Sequence, residues 1–150
     1  MRADADVRST VNDLPAPELD PVATSLTTPL SECRLAIVTT AGLKPGGEVE
    51  LWMMGNQTYQ ELPDGAHDLQ LSHFSPNFDR TGIIQDLNVV YPADRLREMA
   101  DAGEIGSVND RHFSFMGAQV EFSTIIQDTG PQVAERLVDD GVDVVLLTPI

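Results

Sequence analysis

Two short apolar runs constrain this chain more than anything else in it. Leu35-Ala36-Ile37-Val38 is continuous, and the stretch from Val142 to Leu147 is broken only by Asp143. Runs of this length with no polar face predict strands buried on both sides, as parallel strands in an α/β sheet are. The second run follows at once on "GPQVAERLVDDG". There Pro131 suits a first helical turn, Val133, Ala134, Leu137 and Val138 form one apolar stripe, and Gly141 stops the helix. A helix feeding a strand is half of a βαβ crossover.

"YPADRLREMADAG" predicts a second helix, with Pro92 and Asp94 at its start, Leu96, Met99 and Ala100 on one face, and Gly103 at its end. We therefore expect an α/β fold: a parallel, three-layer sheet of the Rossmann or flavodoxin-like kind, in one domain over residues 31–150. Leu69 and Leu71 suggest another strand after a Pro63-Asp64-Gly65 turn. A helical turn is expected near Gly82 to Leu87. "LKPGGEVELWMMGNQ" reads as a loop followed by a weak strand or helical turn, and "EIGSVNDRHFSFMGAQ" reads as a loop. Residues 1–30 hold Pro15, Pro17, Pro21 and Pro29 with scattered acids and no period, which predicts a flexible acidic tail. The sheet is expected to be incomplete at the C-terminal end. No helix follows the last strand, so an apolar face beside it should lie uncovered, and the chain should associate there.

Charge narrows the partners. The chain has 24 acidic residues against 9 basic, and Lys44 is its only lysine. A net charge of −15 repels nucleic acid and anionic membranes, which both need a basic footprint. It also fits a protein working in high salt, where self-repulsion is screened. No apolar run reaches 18 residues and no secretory leader is present, so a cytoplasmic location is expected. The single cysteine, Cys33, precedes the first strand. A small half-buried residue there is the better reading than a nucleophile.

Three groups of residues offer chemistry. In an open α/β sheet, ligands bind beyond the carboxyl ends of the strands. Thr39-Thr40-Ala41-Gly42 stands at such an end, where hydroxyls and free N–H groups could hold a carboxylate or phosphate. Ser72, His73, Asp79, Asp86 and Asn88 could supply an acid/base pair or metal ligands, although their spacing is irregular. Arg111, His112, Ser114 and Gly117 place cationic groups among aromatics, as carboxylate recognition requires. For Arg111 a salt bridge within the acidic protein is preferred, and for His112 packing on Phe113 is the competing reading.

Segment order carries more information than any of these groups. "PLSECRLAIVTTAG", "LSH", "FDR", "DLNVVYPADRLREMADAGEIGSV", "RHFSFMG" and "PQVAERLVDDGVDVVLLTP" follow one another from Pro29 to Ile150. In this the chain resembles the selenoprotein B component of the glycine, sarcosine, betaine and D-proline reductases. The resemblance implies an oxidoreductase that cleaves the C–N bond of a small amino acid or amine reductively. A selenolate attacks carbon, a partner subunit supplies a pyruvoyl group, and a dithiol donor supplies electrons. A selenol is ionised at neutral pH and is a soft nucleophile.

In the family, the strand like "DVVLLTP" leads into a selenocysteine or cysteine. The nucleophile is therefore expected just after Ile150, with no catalytic residue, cofactor or metal within the chain. The resemblance implies substrate-site roles for Thr39, Thr40 and Gly42 beside that nucleophile. It also implies positioning or acid/base roles for His73, Asp79, Asp86, Asn88, His112 and Ser114. Two alternatives stay open: a non-catalytic relative that binds a small molecule or subunit, and a metal-dependent hydrolase using His73, Asp79, Asp86 and His112.

Overall fold

Strand β1 (Arg34–Thr39) is the strand around which the sheet assembles. The structure, a computed structural model, describes residues 24–47, 52–53, 55–73 and 80–150, together with Ser9 and Asp13. Apart from those two and residues 24–30, the expected tail lies outside the described residues. So does much of the stretch expected to hold a weak strand after Gly47.

Parallel β7 (Val144–Thr148) runs along one side of β1, from Leu35 opposite Val144 to Thr39 opposite Thr148. Two short strands share the other side, both parallel to β1. β5 (Ser107–Val108) lies beside Arg34 and Leu35, and β6 (Arg111–Phe115) beside Val38 and Thr39. β3 (Tyr59–Pro63) runs antiparallel along the outer side of β6. The sheet is thus mixed and mostly parallel rather than wholly parallel. β2 (Leu43–Lys44) and β4 (Gln70–Leu71) form a separate antiparallel pair. The strands on either side of the Pro63-Asp64-Gly65 turn therefore do not pair with each other.

Alternation along β1 divides the core in two, because successive side chains point to opposite faces. Leu35 and Ile37 pack with Ile83 of helix α1 (Thr81–Gln85), with Val90 and Tyr91, and with Ala93 and Leu96 of helix α2 (Ala93–Asp101). Ala36 packs with Phe113, Phe115, and Val133 and Leu137 of helix α3 (Gly130–Asp139). Tyr59 on β3 meets the Phe113 ring edge-on at 5.8 Å. The α3 stripe is narrower than expected: Ala134 and Val138 are exposed, as are Val145 and Leu147 of β7. An apolar face beside the last strand therefore stands open among the described residues.

The largest departure from the sequence reading is "EIGSVNDRHFSFMGAQ", which holds β5 and the buried strand β6 instead of a loop. Its polar residues suggested solvent, but two of those on β6 are buried and hydrogen-bonded. His112 Nδ1 accepts the Ile37 N–H at 3.0 Å, and Ser114 Oγ accepts the Leu43 N–H at 2.8 Å. Buried polar side chains with partners are compatible with a central strand. The His112 ring stands edge-on to Tyr91, not on Phe113. Cys33 is fully rather than half buried, and its thiol donates to the Pro29 carbonyl at 3.3 Å.

Candidate active site

The carboxyl ends of β1, β6 and β7 lie together, and hydrogen bonds tie those of β1 and β7 to each other and to Val90. Thr39 Oγ1 donates to the Val90 carbonyl at 3.0 Å and accepts the Ala41 N–H at 3.1 Å. Thr148 Oγ1 donates to the same Val90 carbonyl at 2.9 Å, so the two strand ends are clamped to one oxygen. Thr40 N–H donates to the Thr148 carbonyl, and the Ile150 N–H donates to Thr40 Oγ1 at 2.8 Å.

Gly42 turns the chain with φ of +65°, a region L side chains avoid. A Cβ there would also stand 3.1 Å from the His73 backbone. Its N–H donates to the Phe115 carbonyl, and its own carbonyl accepts the Ser72 N–H at 2.8 Å. That bond fixes Ser72-His73 against the β1 turn. His73 is buried, and the loss of water around the ring together with the Arg80 charge lowers its pKa. The ring is therefore neutral at pH 7.

Gly117, which the sequence groups with Arg111, His112 and Ser114, occupies the tightest corner of this edge. A Cβ at 117 would lie 2.8 Å from His73 Nε2, 2.9 Å from the Thr40 carbonyl and 3.1 Å from the Ile150 carbonyl. Two glycines are thus fitted around one histidine. "FMG" after an aromatic strand was the signal in the sequence, and only packing gives it meaning. Beside this corner opens an apolar cavity of about 710 Å³, lined by Val38, Phe115, Val133, Leu137, Leu147 and Ile150 among others.

Thr39, Thr40, Gly42 and His73 therefore share one edge. Ser114 pairs with Thr39 in the sheet and lies beneath that edge. His112 lies deeper, with its Nε2 3.4 Å from Asp64 Oδ1. Burial lowers the His112 pKa and the Asp64 carboxylate partly restores it. Because Nδ1 accepts a backbone N–H, the proton of the neutral ring sits on Nε2, facing Asp64. Burial raises the Asp64 pKa, but bonds from Arg97 and His112 hold it below the usual value.

Asp86 and Asn88 stand elsewhere, in the turn that leads to α2. Asp86 Oδ1 accepts both the backbone and side-chain N–H groups of Asn88 at 2.9 Å, which lowers its pKa. Asn88 Oδ1 in turn accepts the Asp94 N–H at the start of α2. Asp79 lies outside the described residues. Arg111 is bound to Asp140 at 2.7 Å and sits near Glu61, the expected salt bridge. Cys33 lies at the opposite end of β1, and burial, with Asp143 and Glu32 nearby, raises its thiol pKa. Among the described residues, no group of three His, Cys, Asp or Glu side chains is placed to hold a metal. No helix among them is long and apolar enough to cross a membrane.

A polar turn, a buried histidine and an apolar cavity thus meet at the carboxyl edge of a mostly parallel α/β sheet, the edge where such sheets commonly bind ligands. Residues 7–150 match the model of the family described as glycine/sarcosine/betaine reductase selenoprotein B, and the chain belongs to that family. It is 31% identical over 130 residues to the D-proline reductase subunit gamma of Acetoanaerobium sticklandii, covering 85% of this chain and 53% of that one. It is 29% identical over 142 residues to the glycine reductase complex component B subunit gamma of Carboxydothermus hydrogenoformans (91% and 32%). It is 26% identical over 124 residues to the sarcosine reductase complex component B subunit beta of Peptoclostridium acidaminophilum (79% and 28%). The chain spans about half the length of the first of these and about a third of the others. No solved structure matches it.

Proposed function

We propose that this chain is the nucleophile-positioning part of a reductase component that cleaves the C–N bond of a small amino acid or amine. The observation that carries the reading is the meeting of Thr40, His73 and Gly117 with Ile150 at the end of β7. A selenocysteine or cysteine directly after Ile150 would emerge into that corner, and the residues suit it. A neutral imidazole can take the proton of a selenol or thiol, and a threonine hydroxyl can donate to the anion left behind, while the adjoining apolar cavity offers that anion no such partner.

Such a residue supplies a low-pKa nucleophile for attack on carbon. The chain's own groups do the rest. The Val90 carbonyl, held by Thr39 and Thr148, fixes the two strand ends. Thr40 Oγ1 holds the backbone at Ile150. Thr39, Thr40 and Gly42 shape the turn facing the substrate, and the apolar cavity beside it offers the apolar part of a substrate a surface to pack on. By the same reading the domain is a three-layer α/β unit. Its partners are a subunit carrying a pyruvoyl group and a dithiol donor, as expected for relatives that are components of reductase complexes.

The competing reading, a non-catalytic binding relative, draws on the apolar lining of the 710 Å³ cavity. Reading the coding DNA past the Ile150 codon separates the two. A UGA or cysteine codon continuing in an open frame supports the reductase. A UAA or UAG with no cysteine frame beyond overturns it and leaves the binding relative.

A further inference from the structure

His73 is enclosed on two sides by glycines that leave room for it and for little else. At Gly42 an added Cβ would meet the His73 backbone at 3.1 Å, and at Gly117 it would meet His73 Nε2 at 2.8 Å. The same Gly117 position lies 3.1 Å from the Ile150 carbonyl. Two such contacts from one point put Nε2 no more than about 6 Å from the Ile150 carbonyl, so a side chain on the following residue could meet it directly or through one water. The ring is buried, its backbone is tied through Ser72 to Gly42, and its own carbonyl accepts from Arg80 Nη2 at 3.0 Å. The ring belongs to neither apolar core.

Resting on the reductase reading above, we infer that His73 is the proton partner of the nucleophile borne at the end of β7. His73 Nε2 accepts the proton of the selenol or thiol, and the imidazolium formed stabilises the anion left behind. As the bond from that anion to the substrate carbon forms, the C–N bond breaks and its electron pair goes to nitrogen. His73 returns the proton to that nitrogen, which leaves as the amine. This step needs no outside oxidant or reductant.

Among the described residues, Arg80 is the charge that acts on His73. It keeps the ring neutral until an anion forms beside it.

The test uses the full-length chain with its partner subunit. The rate of iodoacetamide alkylation of the nucleophile is followed against pH in the parent protein, in His73→Gln and in His73→Asn. The proton-partner role requires the alkylation inflection to move to higher pH in both variants. It also requires amine release to fall by roughly 10²–10⁴-fold. An inflection that stays in place overturns the role. Imidazole titration of His73 by NMR in the parent protein, before and after alkylation, avoids any folding defect in the variants. The His73 pKa should fall once the anion is capped, and an unchanged pKa overturns the pairing. If the inflection moves but the parent protein releases no amine from any substrate, the pairing stands and the reductase reading fails. The opposite result removes only the pairing.

Discussion

At His112 a buried ring is bound from both sides, by the Ile37 N–H at Nδ1 and Asp64 at Nε2. Burial holds its pKa below the ordinary value of 6.5, so the folded protein keeps the ring neutral while the unfolded chain takes up a proton below that pH. Its contribution to stability is complete above pH 6.5 and declines as pH falls toward the depressed folded-state value. Urea melts between pH 8 and 5 should show stability falling below about pH 6.5. His112→Gln should flatten that fall. It should also lower stability at pH 8 by about 1–3 kcal/mol if the Ile37 N–H loses its acceptor. Gly117→Ala tests the tight corner. Its Cβ meets two backbone carbonyls as well as His73, so the backbone must shift, at a cost of about 1–3 kcal/mol in the same melts. Both residues stand in "RHFSFMG", where the sequence displays their chemistry but not their neighbours.

The helices were legible because both carry their own signals. α2 and α3 begin and end within a residue or so of the expected positions, since proline at the start and glycine after the end act locally. Gly141 follows α3 with φ of +69°, so Gly141→Ala should cost about 1–2 kcal/mol, read as a lowered Tm. β1 and β7 were legible as apolar runs. β6 was not, although Arg-His-Phe-Ser-Phe does alternate. Its polar half looked like solvent because the partners that bury it, Ile37 and Leu43, lie some 70 residues away in sequence. Its apolar half carries the second core. Phe113 is completely buried, and Phe113→Ala should cost about 3–5 kcal/mol, whereas Leu147→Ser on the open face should change stability by less than about 0.5 kcal/mol.

Over the whole molecule the net charge of −15 acts against compaction. With 24 carboxylates against 9 cations, most of the negative charge is left without a compensating positive one. Stability should rise between low and molar sodium chloride, and a flat response would show that self-repulsion is negligible.

The sequence by itself determined the α/β class, the two long helices, the central strand and its final parallel partner, and family membership. All of these depend on periodicity, local stop signals or the order of strings along the chain. Only the tertiary structure decided that β3 runs antiparallel, that β6 is core, and that Asp86 and Asn88 cap a helix away from the strand ends. It also decided that His73 shares a corner with Gly42, Gly117 and Ile150. Those outcomes depend on contacts between residues distant in sequence, where burial turns a polar side chain from a surface group into a hydrogen-bonding part of the interior.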